Sequence, residues 1–597
     1  MSRLLCLRLA TLCCFCASFA AAGRQCNSTD LIKQSYWFSQ SEWIIPPACT
    51  SLRDVLLLEM DEALAFAGAL KQHTALTTLS VGWDKQRPWE QGAKAFAEAL
   101  TNHTGLTTLH VYRGLGDQGA EALAEGLRAN TKLTSLDVSG NAIKATGAVA
   151  LAAALKDNKV LTTFALGGNA IGDEGAAAFA EALKGNTVLT TFNAYRNEIG
   201  PKGAAAFAEA LKSNQVLAHL DLGWNNLRAE GATILADALE KDIKLTTLDV
   251  GGNEIGDEGA TSIAEALKRN TVLVELGLDW NKIGPEGASA LGEALMTNGV
   301  LATLYVGGNE LGPRGAGALA GALKSNKALK TLDVGNCRIE LEGAVAFAEA
   351  LESNDALSAL DVGGNELGLQ GAVVLAEALK SNRALATLNV YRNDIGTQGA
   401  VAFASALTVN KALTSLNVYQ NDIGSQGAAA LADALRSNKA LTTLDVGEND
   451  IGNVGAAAFA EALKSNKKLT HLILESHTIG DHHFQHLSLS LDNNKNLALA
   501  SNKHKTGRYE PTSQVEGALS KCGLTEHEVH FEELGAESLG DLSLLHFADI
   551  EALSLKVVVR RRLIQCICKA FSKSDREEAT RKGRICEHYA QEDKEDL

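Results

Sequence analysis

The sequence is poor in proline, in long apolar runs and in catalytic motifs. Seven prolines stand among 597 residues, against 55 glycines, a balance that reflects a repeated unit. After residue 22, no apolar run is long enough to span a bilayer. The motifs GxxxxGK[ST], GxSxG and HExxH are missing, as are paired CxxC sets. The sequence therefore predicts a protein that is not an enzyme and that needs no cofactor.

Positive charge is also scarce, because 71 acidic residues outnumber 55 basic ones and the formal net charge is −16 at pH 7. Nucleic-acid binding depends on clustered Lys and Arg side chains that neutralise phosphates. This balance argues against a nucleic acid as the main ligand. It favours a protein partner that carries a cationic patch.

One stretch, residues 245–272 (LTTLDVGGNEIGDEGATSIAEALKRNTV), recurs in near-copies through most of the chain. Leu245, Leu248 and Val250 alternate with polar residues, which is the period-two pattern of a strand with one buried face. In the second half, apolar residues recur three and four positions apart, which marks one face of a helix. Neither element can bury its apolar side alone. Each copy is therefore expected to stack on the next.

The copies keep a constant spacing, since the LxxL onset recurs in thirteen consecutive steps of 28 residues from Leu133 to Leu497. The turn after each strand carries a short polar side chain that can bond free backbone groups. These turn residues are Asn141, Asn169, Asn197, Asn225, Asn253, Asn281, Asn309, Cys337, Asn365, Asn393, Asn421 and Asn449. Because helices are wider than strands, the stack is expected to be a curved α/β solenoid with the strands on its concave face.

The pattern LxxLxVxxNxIxxxGAxxLAEALxxN resembles the leucine-rich repeat of the ribonuclease-inhibitor type, which also occurs in NOD-like receptors. We assign residues 52–500 to about 15 full units of this kind. The resemblance implies a horseshoe of parallel strands backed by helices, which binds other proteins. No nucleotide-binding module like that of NOD-like receptors is recognisable in the sequence.

The N-terminal residues 1–22 have the pattern of a cleavable secretory signal, with Arg3, an apolar stretch and three alanines before Gly23. The alternative is an apolar cytosolic N-terminus or an anchor. We expect the secretory pathway or secretion, with the cytoplasm as the alternative compartment.

Residues 23–51 lack the repeat pattern and are expected to cap the first unit. In an oxidising lumen Cys26 and Cys49 could form a disulfide, the alternative being two reduced cysteines. Asn27 and Asn102 begin sequons and are candidates for glycosylation.

A line of larger side chains breaks the consensus along the exposed strand face. Most repeats carry Asp or Asn at the exposed end of the strand, and several carry Tyr, Trp or Arg where others have Gly-Gly. Exposed aromatic and Arg side chains are frequent binding anchors, and the acidic neighbours favour a cationic partner. Alternatively, they only cover neighbouring strands. The predicted partner-binding residues are Tyr195, Arg196, Asp221, Trp224, Asp249, Asp279, Trp280, Tyr305, Tyr391, Arg392 and Tyr419.

Histidines are crowded between His471 and His486. His482 and His486 share a helix face, and this spacing could hold a divalent metal ion if His477 or Asp481 completed the set. The alternative is the polar outer face expected of a last repeat, and no metal site is predicted.

The pattern changes after the repeats, with a polar linker at 501–513 and a charged tail at 573–597 that is expected to be disordered. Residues 514–572 resemble a sterile alpha motif domain through Gly523-Leu524, Phe531 and the arginines from Arg560, although an initial Trp and the Gly before those arginines are missing. The resemblance implies a five-helix module that often self-associates and less often binds RNA. The charged residues expected to carry self-association are Glu532, Glu533, Glu537, Asp541, Asp549, Lys556, Arg560, Arg561 and Arg562.

These features predict a non-enzymatic protein–protein interaction scaffold. It would bind a partner on the concave repeat face and oligomerise or dock through its C-terminal domain. The alternatives are a stand-alone inhibitor of an enzyme and RNA binding through the C-terminal domain.

Overall fold

The structure is a computed structural model that describes residues 24–27, 32–35, 41–45, 49–57, 60–83, 90–241, 244–474 and 498–501. The chain divides into two units, Met1–Asn502 and Lys503–Leu597, and every described residue lies in the first. The expected signal, the sterile-alpha-motif-like domain, the tail, most of the histidine cluster and all of the linker except Ser501, which ends strand β20, lie outside the described residues.

The described residues form 20 strands, most of them three residues long in the repeats. They are β1 Arg24–Asn27, β2 Ile32–Ser35, β3 Ser41–Ile44, β4 Cys49–Leu57, β5 Thr78–Trp83, β6 Thr108–Tyr112, β7 Ser135–Asp137, β8 Thr163–Ala165, β9 Thr191–Asn193, β10 His219–Asp221, β11 Thr247–Asp249, β12 Glu275–Gly277, β13 Thr303–Tyr305, β14 Thr331–Asp333, β15 Ala359–Asp361, β16 Thr387–Asn389, β17 Ser415–Asn417, β18 Thr443–Asp445, β19 His471–Leu474 and β20 Ala498–Ser501.

A helix follows each strand from β4 to β18, and none of the described helices is long and apolar enough to cross a membrane. They are α1 Met60–Gln72, α2 Glu90–Asn102, α3 Gly116–Ala129, α4 Ala145–Asp157, α5 Gly172–Gly185, α6 Pro201–Leu211, α7 Arg228–Leu239, α8 Gly256–Leu267, α9 Pro285–Thr297, α10 Gly312–Leu323, α11 Glu340–Ser353, α12 Gly368–Ser381, α13 Gly396–Val409, α14 Gly424–Ser437 and α15 Gly452–Ser465.

Eighteen of these strands form one parallel sheet, in which β1 pairs with β4 and each strand from β4 to β20 pairs with the next along the chain. The remaining two, β2 and β3, form an antiparallel pair. The register repeats without slippage through the regular units, so that Leu248 lies opposite Leu276 and Leu276 opposite Leu304. Parallel strands that alternate with helices confirm the predicted α/β repeat solenoid for this part of the chain.

The apolar residues of each unit meet between its strand and its helix. Leu245, Leu248, Val250 and Ile255 are at most 1% exposed, as is Ile263 on the helix. Their equivalents in neighbouring units join them in one continuous core. The sheet therefore has one covered face and one open face.

Two ladders of buried asparagines tie neighbouring repeats together. In the turn, Asn253 donates through Nδ2 to the carbonyls of Leu222 and Val250, both at 2.9 Å, and its Oδ1 accepts from the backbone N–H of Asn225 and Leu227 at 3.2 Å. At the helix end, the Nδ2 of Asn270 donates to the Leu239 carbonyl at 2.7 Å. Because all these groups are buried, each asparagine satisfies backbone atoms that would otherwise be unpaired.

The expected cap is described only in part. Cys26 lies in β1 opposite Leu52 of β4. Cys49 is fully buried and disulfide-bonded, but its partner is not among the residues with described side chains. The pairing of Cys26 with Cys49 therefore stays a prediction. Of the two sequon asparagines, Asn27 ends β1 and Asn102 ends α2.

Candidate functional site

The carboxylates along the open face of the sheet are half-buried, which corrects the expectation that they are exposed. At the end of β11, Oδ1 of Asp249 accepts from the backbone N–H of Gly251 at 2.8 Å, so the side chain folds back over the turn. Asp137, Asp221, Asp333, Asp361 and Asp445 make the same bond. In Asn193, Asn389 and Asn417 an amide oxygen takes the same place. Part of the acidic pattern therefore serves the turns.

Burial makes three of these carboxylates, those of Asp221, Asp361 and Asp445, harder to ionise. Desolvation, with the neighbouring Asp249 as the next cause, raises the pKa of Asp221 to about 6. Desolvation, with the charge of Asp333 next, raises the pKa of Asp361 to about 7. For Asp445, desolvation raises the pKa to about 6. The open face therefore holds three strand-end carboxylates whose pKa values are raised to about 6 or 7.

The row changes at β12 and β13, where Gly277 and Tyr305 occupy the strand ends and neither can accept the turn bond. Asp279 lies two residues after β12. Its Oδ1 accepts from the N–H of Gly307 at 2.7 Å, which is the turn N–H that Tyr305 cannot bind. Desolvation, followed by the charge of Asp333, raises the pKa of Asp279 to about 7. At this point a carboxylate stands in the turn itself, beside Trp280.

Both tryptophans of the turns have left-handed backbones. The φ angle is 54° at Trp224 and 55° at Trp280, close to the 68° of Gly252 and the 66° of Gly308 at the same position of other repeats. For a bulky L-residue this conformation is unfavourable by about 1–2 kcal/mol. Trp224 is 47% exposed and Trp280 56%, so about half of each side chain remains open to solvent.

Each indole lies against the glycine of the following repeat. A Cβ placed on Gly252 would stand 2.9 Å from Cγ of Trp224, and one on Gly308 would stand 2.8 Å from Cε3 of Trp280. Bulky residues and glycines alternate at this position over seven repeats. The series is Trp224, Gly252, Trp280, Gly308, Asn336, Gly364 and Arg392. Because only a glycine leaves room for the ring, this alternation fixes where both indoles lie.

These side chains line a groove of about 400 Å³ along the turns that follow the strands. Six of its lining residues belong to the predicted set, namely Tyr195, Trp224, Asp249, Asp279, Trp280 and Tyr391. The other six are Gly251, Gly307, Gly308, Asp333, Gly335 and Asn336. None of these twelve residues is basic, and no described Lys or Arg forms an ion pair with the three aspartates.

Tyr391 joins the groove through its ring and its hydroxyl. Its ring lies over Gly363, where a Cβ would stand 2.8 Å from Cγ. Its hydroxyl oxygen accepts from Nδ2 of Asn336 at 2.6 Å. This bond holds the tyrosine against the turn two repeats before its own.

Five predicted residues lie outside the groove lining. Asp221 accepts from Nδ2 of Asn193 at 2.6 Å, and Nε of Arg392 donates to Oε1 of Gln420 at 2.6 Å in the next repeat. Arg196 occupies the left-handed turn position with a φ of 53°, and Tyr305 is half-buried at the end of β13. The remaining residue, Tyr419, is half-buried beside Gln420.

The predicted site did not include Asp333 and Asn336, although the repeat pattern of the sequence distinguishes both residues. Asp333 belongs to the row of strand-end aspartates, and Asn336 replaces the usual Gly as Trp224 and Trp280 do. The lining glycines carry no such signal, because most repeats have Gly at these places. Among the described residues, no group of three His, Cys, Asp or Glu side chains is arranged to hold a metal ion.

Nine segments of the chain match a family model described as a Leucine Rich repeat. They are residues 129–152, 157–180, 213–236, 241–264, 269–292, 325–348, 381–404, 409–432 and 437–460. The matches support a leucine-rich repeat protein. Proteins of this kind are typically non-enzymatic binding scaffolds, and their repeats generally mediate protein–protein interactions.

No curated protein matches the sequence. Among solved structures, the chain is similar to Leiomodin-1 Actin-Binding Site 2 (ABS2), with 24% identity over 30% of this chain and 87% of that chain. The TM-score is 0.22, and a similarity at that level carries no argument about this chain.

Proposed function

We propose that the chain is a non-enzymatic scaffold that binds a protein partner on the open face of its repeats, in the groove at Trp224 and Trp280. The observation that carries the proposal is the pair of half-exposed indoles that line one groove beside three aspartates. Tryptophan is also the side chain most enriched among residues that dominate binding energy.

The partner is expected to present positive charge. Asp249, Asp279 and Asp333 line the groove, and none of its lining residues is basic. Charge complementarity across an interface steers association and excludes partners of the same sign. A cationic protein surface therefore fits this groove better than an acidic one, in agreement with the net charge of −16.

Selection of peptides from a random display library on the full chain would test this function. We expect selected peptides to lose about 2 kcal/mol, roughly thirtyfold in affinity, on Trp224→Ala and on Trp280→Ala. Val454→Ala is the matched control, since it removes an exposed apolar side chain, 65% exposed, from helix α15. Peptides that bind both tryptophan variants as tightly as the wild type would contradict the assignment.

We also propose that the scaffold self-associates through its C-terminal segment, which lies outside the described residues. What supports this is the resemblance to a sterile alpha motif domain and its two groups of opposite charge, around Glu532 and around Arg561. A head-to-tail contact of this kind need not close, so it multiplies weak contacts of the attached repeats.

Sedimentation of the full chain at low and high salt would test self-association. We expect large species that shrink as salt screens the charges, and monomers for Arg561→Glu with Arg562→Glu. A wild-type monomer at low salt would favour the stand-alone inhibitor instead. Retention of labelled RNA by that monomer would favour the RNA-binding alternative.

For the compartment, we propose the secretory pathway. The signal-like residues 1–22 and the sequons at Asn27 and Asn102 support it. The disulfide bond of Cys49 also supports it, because disulfides persist in oxidising compartments. Glycosidase treatment of the chain from a eukaryotic cell should shift its mobility. An unshifted chain with an intact N-terminus would place it in the cytoplasm.

A further inference from the structure

We propose that the groove recognises an extended segment with two arginine side chains three residues apart, one on each indole. This inference rests on the proposed function and specifies the chemistry of the partner. It follows from the repeat spacing between Trp224 and Trp280, from the carboxylates beside them, and from the glycines between those carboxylates.

The two indoles are related by two repeat steps. Trp224 and Trp280 hold the same position in their repeats, with φ angles of 54° and 55°, and each ring lies on the glycine of the following repeat. Neighbouring strands of a sheet lie about 4.7–4.9 Å apart, so equivalent atoms two strands apart are separated by about 9.5 Å. The groove therefore presents two aromatic surfaces at about that distance.

This distance selects a conformation of the bound segment. In a polyproline II helix, residues i and i+3 point to the same side and lie about 9.3 Å apart. In a β-strand, side chains on one face lie about 6.7 Å apart at i and i+2 and about 13 Å apart at i and i+4. Of these two extended conformations, polyproline II is the one whose spacing places two side chains on both indoles.

The carboxylates determine which side chains are bound. Asp249, Asp279 and Asp333 each accept a backbone bond through Oδ1, and Asp279 also accepts from its own backbone N–H, but no described side chain donates to any of the three carboxylates. A planar guanidinium stacks on an indole face and donates in parallel to a carboxylate, which an ammonium does less well. Arginine is therefore preferred over lysine at both positions.

The floor of the groove leaves the carboxylates accessible. A Cβ on Gly307 would stand 3.1 Å from Oδ1 of both Asp279 and Asp333, and one on Gly335 would stand 3.1 Å from Oδ1 of Asp333. Because these positions are glycines, no side chain separates the carboxylates from a bound group. A cavity of about 400 Å³ suits a few inserted side chains rather than a folded domain.

Three labelled peptides would test the inference by fluorescence polarisation on the full chain. They are Gly-Arg-Pro-Pro-Arg-Gly, the same peptide with citrulline at both arginines, and the isomer Gly-Pro-Arg-Arg-Pro-Gly. We expect the first to bind about tenfold more tightly than the isomer, because only it reaches both indoles. The citrulline peptide, which keeps the shape and loses the charge, should not bind measurably.

Variants of the groove make the spacing itself testable. With Trp224→Ala or Trp280→Ala only one indole remains, so the two arginine peptides should bind equally and weakly. Asp279→Asn should weaken both arginine peptides, because their charge loses a partner while the Gly307 bond can be kept.

Two results would overturn the inference. Equal affinity of the two arginine peptides for the wild-type chain would refute the spacing, and no binding of either would refute the arginine chemistry. Both results leave the proposed function intact if library peptides of another sequence still depend on Trp224 and Trp280. Loss of that dependence as well would overturn the proposed function.

Discussion

The indole of Trp280 occupies the space above Gly308 that a side chain at position 308 would take. A Cβ there would stand 2.8 Å from Cε3 of the ring. Gly308→Ala is therefore expected to displace the indole and to weaken groove ligands by about tenfold or more. Titration of a selected peptide against wild type and variant would measure the loss.

The matched control for that change is Gly140→Ala. Gly140 has a φ of 69°, nearly the 66° of Gly308, but nothing lies within 4 Å of a Cβ placed on it. Both variants should lose a similar stability, about 1 kcal/mol, because alanine is strained in this conformation. Only Gly308→Ala should lose binding. Equal affinity of the two variants would show that the indole does not depend on the glycine.

The raised pKa values of the aspartates predict that the fold becomes more stable as the pH falls from 8 to 5. The pKa is raised from 3.8 to about 7 at Asp279 and to about 6 at Asp445. Between pH 3.8 and each raised pKa, the folded chain binds more protons than the unfolded chain. Stability therefore increases as the pH falls through the raised pKa, and it is lost as the pH rises and these groups ionise. Differential scanning calorimetry across this range would measure the change in Tm.

Asp279→Asn combined with Asp445→Asn is the variant that isolates this effect. The Oδ1 of asparagine can still accept from the turn N–H, as that of Asn417 accepts from the N–H of Tyr419 after β17. We expect a Tm roughly a few degrees above wild type at pH 8 and a smaller difference at pH 5. Curves that run parallel to wild type over the whole range would contradict the assignment to these carboxylates.

The same titration affects binding in the opposite direction. Protonation of Asp279 removes a negative charge from the groove, so affinity for a cationic peptide should fall as the pH drops below about 7. In Asp279→Asn this pH dependence should be weaker. A wild-type affinity that is constant between pH 8 and 5.5 would show that the carboxylate does not contribute to binding.

The strand–helix solenoid could be predicted from the sequence because its periodicities are local. The apolar pattern around Leu248 and Ile263 specifies both elements, and the constant step of 28 residues requires stacking. The turn position of Asn253 also follows from the repeat itself. Its bonds to the repeats before and after it depend on register, which the single unit does not reveal.

The site could be predicted only in part, because its geometry arises between repeats. Departures from the consensus identified Trp224 and Trp280, and both line the groove. The half-burial of Asp249 depends on a turn bond to Gly251, and the position of Trp280 depends on a glycine 28 residues later. Such contacts are visible only once the repeats are folded and stacked on each other.

Cys337 replaces asparagine in the turn ladder, and Cys337→Asn is expected to raise the free energy of unfolding by about 1 kcal/mol. Its thiol contacts the carbonyl oxygen of Val306 at 3.2 Å and its sulfur accepts from the backbone N–H groups of Gly308 and Asn309, but sulfur is a weaker acceptor than an amide oxygen. Burial raises the thiol pKa to about 12, so the native chain should also resist alkylation at pH 8. Urea denaturation would measure the stability.

The reverse change, Asn281→Cys, provides the control for Cys337→Asn. Asn281 accepts from the N–H of Asn253 at 2.7 Å. Its replacement should therefore lower the free energy of unfolding by about as much as Cys337→Asn raises it. If Cys337→Asn instead loses more than about 1 kcal/mol, the thiol acts as a packed apolar group rather than a missing ladder residue.

Leu276→Ala should separate the unfolding of the groove region from that of the rest of the array. Leu276 is fully buried between Leu248 and Leu304, and its truncation should cost about 2–5 kcal/mol. Because each repeat contacts mainly its neighbours, that loss need not spread along the stack. In a background where the other four tryptophans are replaced by phenylalanine, the fluorescence of Trp224 and Trp280 in urea should then change before the far-UV circular dichroism does.

Leu444→Ala is the matched change farther along the array, since Leu444 is also fully buried and holds the same strand position in β18. It should lower the urea concentration at the midpoint of the circular dichroism transition. The midpoint of the fluorescence transition of Trp224 and Trp280 should stay at its wild-type value. If both variants shift both signals together, the repeats unfold as one cooperative unit. The nearest-neighbour description would then fail for this array, and a ligand in the groove would stabilise every repeat equally.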